Sequence, residues 1–349
     1  MLSLYVDEGR WTRHQQQVVD AHPGLVPVAK GNGYGFGLRL LAEQATRLGV
    51  DTIAVGTYPE IDDVAGSFDG TILVLTPWRP THEGAVYDER VVHTVGRLED
   101  LEALAARDDR PRVALEMVTS MRRHGFTGRG LREAGDLLVR RGAAVRVEGA
   151  AVHLPLPRGE RSHLDEMDRL MTELVAADLP AKRVFVSHLD AAELETVRSG
   201  WGDFELRPRI GTALWLGDPG AYAIRASVLE VHRVGRGDVS GYRARRAPRA
   251  GHLLVVSGGT SHSVGLEAPT PGVRLRDRAA RLAAGGLDAA GLVRSPYTVD
   301  GARRLFAEPP HMQVSMLFVP DGVRVPRVGD ELDVRLRMTI AAFDRIVLA

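Results

Sequence analysis

Short apolar runs rich in β-branched residues recur through the first two-thirds of the chain. They stand at "LVPVAK" (25–30), "DTIAVGT" (51–57), "TILVLTP" (71–77), "VVHTV" (91–95), "RVALEMV" (112–118), "VRVEGAAVHL" (145–154), "RVFVSHL" (183–189) and "LRPRIGTALW" (206–215). Between most of them the apolar spacing changes from strand-like to helical, as in "LRLLAEQATRLG" (38–49), "LEDLEALAARDD" (98–109) and "LREAGDLLVRRG" (131–142). In "HLDEMDRLMTELVAADLP" (163–180), Leu164, Met167, Met171 and Leu174 share one helical face. Alternation of strand and helix eight times predicts an α/β fold, a (β/α)8 TIM barrel, over a doubly wound open sheet, whose usual strand count is lower.

The rhythm changes near residue 220. "AIRASVLEVHRV", "GHLLVVSGG", "MQVSMLFV" and "ELDVRLRMTIAAFDRIVLA" alternate apolar and polar positions, and "GDVSGY", "PDG" and "VGDE" supply turns. The pattern predicts a barrel domain over 1–218, with the first ten residues free to pack elsewhere. A C-terminal all-β domain follows over 219–349. "RLRDRAARLAAGGLDAAGLV" (274–293) has helical spacing and reads as an insertion between strands.

Composition narrows the chemistry. The 349 residues are 44% hydrophobic and 26% charged, with 45 basic residues against 45 acidic ones. That is the profile of an ordinary soluble globular protein. A zero balance gives no reason to expect nucleic acid or an anionic membrane as partner. Without cysteine there is no disulfide, no thiol nucleophile and no thiolate metal site. No apolar run is long enough for a membrane span. "MLSLYVDEGR" has no basic leader before an apolar core, so a cytoplasmic location is expected.

Only two of the 45 basic residues are lysines, Lys30 and Lys182. Lys182 precedes a strand in a polar turn, where arginine would serve as well. Lys30 ends the first barrel strand, at the end where barrels gather catalytic groups, and runs straight into "GNGYGFG". A primary amine can lose its proton and form a Schiff base; a guanidinium can do neither. Other polar residues fall at the same end: Arg123 after the fifth strand, His153 and His188 at the sixth and seventh, Arg209 in the eighth with Gly211 and Thr212 behind it. Taken singly, each is also what any polar strand end looks like.

"PVAKGNGYGFG" resembles the VVKANAYGHG stretch of the alanine racemase family, the fold type III enzymes that use pyridoxal 5′-phosphate. The resemblance implies that Lys30 forms the Schiff base with that cofactor and that Tyr34 bonds its phosphate. "LEMVTSMRRHGF" looks like K-x-D-T-G-M-x-R-x-G and puts Arg123 on the arginine that contacts the pyridine O3′ and the substrate carboxylate. "EGAAVHL" and "VSHLDAA" match the stretches that carry the family's histidines, here His153 and His188. "RPRIGTALWLG" is similar to R-x-G-I-x-x-Y-G. It puts Arg209 at the pyridine nitrogen and gives Gly211 and Thr212 the backbone amides that hold phosphate. An arginine there keeps the ring nitrogen unprotonated, because two positive charges cannot sit side by side cheaply. The ring is then a weaker electron sink, which favours returning a proton to the α-carbon.

The C-terminal part departs from the pattern. The family's second acid/base is a tyrosine in P-I-G-Y-A-D-G-Y, supplied by the partner subunit; in "VVSGGTSHSVGLE" the matching residue is Gly259. His262, three residues on, is the candidate replacement, and His311 a further one. In "HMQVSML", Met312 is kept as a substrate-side residue while Gln313 replaces an aspartate. Tyr242 matches a different tyrosine, "HLDAA" lacks the phosphate-binding serine, and the late phosphate-binding tyrosine has no counterpart. The resemblance implies a homodimer with shared active sites and an amino acid, as a small molecule, for substrate. It leaves three functions open: a racemase with an altered second base, a lyase or decarboxylase on the same scaffold, or a pyridoxal-phosphate-binding protein without turnover.

Overall fold

The computed structural model describes residues 1–82, 84–86, 88–156, 162–266 and 293–349. They divide into two compact units. One is Thr12–Gly217; the other joins Met1–Trp11 to Asp218–Ala349. The chain opens with β1 (Leu2–Val6) and α1 (Glu8–Ala21), and the division between units falls inside α1.

The unit Thr12–Gly217 holds the eight strands expected from the apolar runs. They are β2 (Val26–Pro27), β3 (Thr52–Val55), β4 (Thr71–Val74), β5 (Val91–Val95), β6 (Arg112–Met117), β7 (Arg146–His153), β8 (Arg183–Ser187) and β9 (Glu205–Ile210). All neighbours are parallel, in the order β2-β9-β8-β7-β6-β5-β4-β3. A parallel bridge between Val28 and Ala54 brings β3 back to β2, so the sheet closes as a barrel. The helices α2 (Leu38–Arg47), α3 (Glu60–Ala65), α4 (Leu98–Ala105), α5 (Gly128–Arg141), α6 (Leu164–Ala176), α7 (Ala191–Gly200) and α8 (Thr212–Leu216) follow in turn. Among the described residues no helix stands between β4 and β5. Pro77 and Pro80 lie in that connection, and a residue with no N–H and a fixed φ breaks a helix.

On α6 the buried face is Met167, Leu170, Met171 and Leu174, with Leu164 half-buried at its start. Burying each such side chain is worth roughly 1.5–3 kcal/mol, so a charge at Met171 would dislodge the helix. Helix α7 starts on a reciprocal cap: Asp190 Oδ1 accepts from the Glu193 N–H at 2.8 Å, and Glu193 Oε2 accepts from the Asp190 N–H at 3.1 Å. That cap fixes the chain directly after His188.

In the other unit β1 pairs antiparallel with β10 (Tyr222–Val234) and parallel with β18 (Arg345–Leu348). The remaining strands are β11 (Val239–Ser240), β12 (Arg245–Arg246), β13 (Gly251–Ser257), β14 (Arg294–Val299), β15 (Ala302–Phe306), β16 (Val314–Pro320) and β17 (Glu331–Val334). The large sheet runs β13-β16-β15-β14-β17-β10-β1-β18, with an extra β10–β13 pairing that closes six strands on themselves. The β14–β15 hairpin was not singled out in the sequence. Its signal is Asp300-Gly301, both at positive φ, the two-residue turn whose twist suits a hairpin. The helical segment expected at 274–293 falls outside the described residues, apart from its last position. No described helix is long and apolar enough to cross a membrane.

Candidate functional site

The barrel interior is filled by a buried cluster that includes Val26, Val28, Ala54, Ala114, Ala151 and Phe185. Side chains two residues apart on a strand point to the same face. The inward series therefore continues from Val28 to Lys30, Ala54 to Gly56, Ala114 to Glu116, and Ala151 to His153. Arg209 pairs with Val26 across β2 and β9 and is itself buried. Strand parity alone thus brings Lys30, Glu116, His153 and Arg209 to one end of the barrel.

Lys30 remains accessible there, yet its ammonium is disfavoured. Partial burial lowers its pKa first, and the positive charges of Arg123 and Arg209 lower it further, against an opposing pull from Glu60. Glu60 opens α3 and ties two loops together. Its Oε1 accepts from the Gly31 N–H at 3.0 Å and its Oε2 from the Gly56 N–H at 2.6 Å. Gly56 gives both side chains room: a Cβ there would lie 2.9 Å from Glu60 Oε2 and 3.1 Å from the Lys30 Cβ.

The "GNGYGFG" run coils back beside Lys30. Tyr34 is held in the left-handed region, φ 54° and ψ 27°, and a Cβ on Gly33 would sit 2.7 Å from the Leu38 nitrogen. The tyrosine ring is buried, and its hydroxyl bonds to Thr212 and covers Gly211, where a methyl would collide with it. Burial pushes the hydroxyl pKa up to about 12, so it keeps its proton and stays a donor. Tyr34, Gly211 and Thr212 therefore converge, as the two separated motifs require.

Arg209 is buried, and its Nη2 donates to the Val152 carbonyl at 2.9 Å. Its Nε, also buried, has no hydrogen-bond partner among the described residues. Burial lowers its pKa to about 10, with Glu116 opposing and Arg123 assisting the shift. It remains a cation at neutral pH. Glu116 is 3% exposed, and its Oε2 has no partner among them either. Burial raises its pKa against the two arginines.

His153 and His188 face each other with ring centroids 4.9 Å apart. His188 sits at φ 69°, and its Nδ1 is 2.7 Å from the Leu154 carbonyl. Burial drives the His153 pKa down to about 3, helped by Arg209, Arg123, His188 and Lys30. Burial also lowers that of His188. Both rings are neutral at physiological pH. Arg123 is exposed in the loop after β6 and acts on these groups through its charge. Lys182 lies elsewhere, 3.7 Å from Asp203 beside a shallow depression of about 330 Å³ at the start of β8 and β9.

The residues not anticipated from sequence are Glu60, Gly56 and Glu116. Glu116 had a signal, a lone carboxylate inside the apolar run "VALEMV". Glu60 had none beyond its place at a helix start.

The remaining candidates lie in the β unit. A Cβ on Gly259 would collide with the carbonyls of His311 and Met312. His262 is buried with both ring nitrogens engaged. Its Nδ1 accepts from the Gly259 N–H at 3.3 Å, and its Nε2 lies 3.0 Å from Asp344 Oδ1. Met312 is 73% exposed.

The barrel end carries Arg123, Arg209 and the Lys30 amine beside two neutral histidines and two carboxylates, and among the described residues Arg209 Nε is unpaired in the interior. That arrangement fits an anionic ligand with an acceptor atom reaching the arginine, and its amine, donor hydroxyl and glycine floor fit the aldehyde and phosphate of pyridoxal 5′-phosphate.

Comparison with known proteins points the same way. The family model "Alanine racemase, N-terminal domain" matches residues 8–219. An alanine racemase of Campylobacter concisus is 26% identical over 156 residues, 44% of this chain and 43% of the relative. The aligned segment thus spans under half the length of the curated relatives it matches. Over the full fold, the chain superposes on an alanine racemase from Bartonella henselae whose structure contains covalently bound pyridoxal phosphate. The TM-score is 0.74 at 15% identity, over 99% of each chain. It superposes comparably on a histidine racemase from Leuconostoc mesenteroides subsp. sake, with a TM-score of 0.71 at 16% identity over 100% and 98% of the two chains.

Proposed function

The chain belongs to the alanine racemase family, and from that premise we propose that it is a pyridoxal-phosphate-dependent amino-acid racemase built around Lys30. The observation that carries the reading is the convergence of Lys30, Tyr34, Arg209, Gly211 and Thr212 at one barrel end from segments almost two hundred residues apart. Bound there, pyridoxal 5′-phosphate would supply an aldehyde for a primary amine to capture and a conjugated ring to take up the electron pair of a broken Cα–H bond.

The chain's own residues divide the remaining work. Lys30, with its charge disfavoured, is poised to hold the cofactor and then to move a proton at one face of the α-carbon. The Tyr34 hydroxyl and the backbone at Gly211 and Thr212 bind phosphate. Arg209, whose Nε is unpaired among the described residues, would hold the cofactor at its ring nitrogen and, staying charged, would oppose protonation there. Arg123, exposed at the mouth, draws in a substrate carboxylate. The neutral rings of His153 and His188 would line the bound cofactor without adding charge. The homodimer with shared sites belongs to the same proposal, with Met312 on the substrate side and the second acid/base drawn from the β unit. The shared fold of an alanine and a histidine racemase leaves the amino acid itself open.

Gly259 is the observation that favours the second reading, pyridoxal-phosphate binding without racemase turnover. A lyase or decarboxylase is disfavoured by Arg209, because an acidic residue at the ring nitrogen suits those reactions. Solvent deuterium uptake at Cα decides among them. Exchange accompanied by loss of optical purity is expected. Cofactor-loaded protein that exchanges no common amino acid would refute racemisation, and carbon dioxide or aldehyde release would point to the lyase class.

A further inference from the structure

Arg123 depends on its backbone for its place. Among the described residues its guanidinium has no hydrogen-bond or ion-pair partner, yet its charge reaches Lys30, Glu116, His153 and Arg209. An exposed arginine on a free loop would spread that charge through water, where it counts for little. The loop after β6 is instead folded back on its own strand. The Val118 N–H donates to the Phe126 carbonyl at 2.9 Å, and the Phe126 N–H to the Glu116 carbonyl at 2.7 Å. Gly125, at φ 119°, makes that return possible, since a Cβ there would strike the Met117 backbone. Arg122 sits at φ 53°, and its N–H donates to the Thr119 carbonyl at 2.9 Å.

Two side-chain ties then fix the loop to its neighbours. Thr119 Oγ1 donates to the His153 carbonyl at 2.8 Å, which joins the loop to the end of β7. The second tie comes from α6. Glu166, in the first turn of that helix, accepts from the Ser120 N–H at 2.5 Å through Oε1 and from the Ser120 hydroxyl at 2.7 Å through Oε2. Both oxygens of one carboxylate are thus spent on one residue, three positions before Arg123. Hydrogen bonds to an ionised acceptor are roughly twice as strong as neutral ones. The Glu166 side chain is 17% exposed, and Arg169 lies 3.8 Å away on the outer surface. The helix packs through Met167, Leu170, Met171 and Leu174 and does not need this carboxylate for its core.

We propose that Glu166 is a positioning residue of the site: it clamps Ser120 and so fixes where the Arg123 charge stands relative to Lys30. This role rests on the racemase reading above for what Arg123 and Lys30 do. The sign of its effect separates it from a direct one. The charged and titratable groups that act on Lys30 are Arg123 from the loop after β6, Arg209 from β9, His153 from β7 and Glu60 from α3. Deleting the Glu166 carboxylate removes a negative charge, which by itself lowers the pKa of an amine nearby. Releasing Arg123 takes away a positive charge, which raises it. A clamp therefore predicts a rise.

The chain has two lysines, so protein carrying carbon-13 at the lysine Cε gives two side-chain signals, and Lys182→Arg assigns them. The test titrates the full-length chain by NMR after any cofactor has been removed with hydroxylamine. Arg123→Gln and Glu166→Ala should each move the Lys30 midpoint up, and Glu166→Ala should add nothing in the Arg123→Gln background. Ser120→Ala loses one of the two bonds at an exposed position and should move the midpoint up by less. A midpoint that falls or stays put in Glu166→Ala overturns the proposal, as does a further rise in the double variant. An unmoved midpoint in Arg123→Gln overturns it too, because there is then no charge to position. If Glu166→Ala does not fold, Ser120→Ala decides by the same signs. In turnover, Glu166→Ala should raise KM for the amino acid about 10-fold, the worth of one hydrogen bond to a charged group, with kcat nearly unchanged. An equal loss in kcat overturns the clamp while the racemase reading stands. Wild type that exchanges no amino acid, with the midpoints moving as stated, removes that reading and keeps the clamp.

Discussion

The barrel unit and the β unit place their polar groups by different rules. In the barrel, strand parity delivers Lys30, Glu116, His153 and Arg209 to one end, with Glu116 and Arg209 buried, His153 half-buried and Lys30 accessible, and each shifted by the charge of its neighbours. In the β unit, hydrogen-bonded loops decide what can stand where. Gly259 is closed by the neighbouring backbone, while Glu308 and His311 are brought together beside it. The family match over 8–219 ends where this second rule takes over. A barrel end can keep its chemistry as long as its periodicity holds. A loop-built site can lose a residue to a small change in how two segments pair.

The largest effect should come from breaking the barrel's charge set. Arg209→Gln leaves Glu116 buried without its main compensating charge and should cost about 3 kcal/mol in urea unfolding. Adding Glu116→Gln should recover part of that loss; strict additivity would show that the two do not act together. Next comes the phosphate floor. Gly211→Ala forces a methyl into the Tyr34 hydroxyl and should weaken cofactor binding about 10- to 100-fold, the range for losing a hydrogen bond to a charged group. Tyr34→Phe in that background removes the hydroxyl but leaves the ring carbon 2.8 Å from the new methyl and takes away the phosphate donor, so affinity should not recover; a titration of added cofactor reads both variants.

Much of the barrel was legible because a period-2 run ending in a polar residue is a local signal. "PVAK", "AAVH" and "RPRI" each carry their own evidence. Glu60 was not legible, because its work depends on two amides, Gly31 and Gly56, that meet only after β2 and β3 pair. The state of His262 was equally hidden, since its partner Asp344 lies 82 residues away. That no helix stands between β4 and β5 among the described residues was readable from Pro77 and Pro80 but was hidden by the regularity of the other units.

Two smaller effects sharpen the comparison through pH. Partial burial, Arg123 and Arg209 lower the Lys30 pKa, so Arg123→Gln removes one cause and moves it up toward the ordinary lysine value. The pH at which half-maximal cofactor uptake occurs should rise in that variant; a fall would contradict the electrostatic account. Burial holds His93 near 4 and His153 near 3 in the folded barrel, while both titrate near 6.5 unfolded. The unfolded chain therefore binds more protons between those values. Barrel stability should be full above pH 6.5 and decline as the pH falls toward 4. In the β unit, His262→Gln should cost about 1–2 kcal/mol by thermal unfolding, the worth of a buried tie between loop and strands.

The central claim is that Lys30 is the cofactor's amine, and only one other lysine competes for the role. The purified protein, supplied with pyridoxal 5′-phosphate and reduced with borohydride, should carry the cofactor mass on the peptide containing Lys30 and lose its near-visible absorbance. Lys30→Ala should show neither band nor adduct. A stable adduct on Lys182, or no uptake of cofactor by the wild-type protein, would contradict the account.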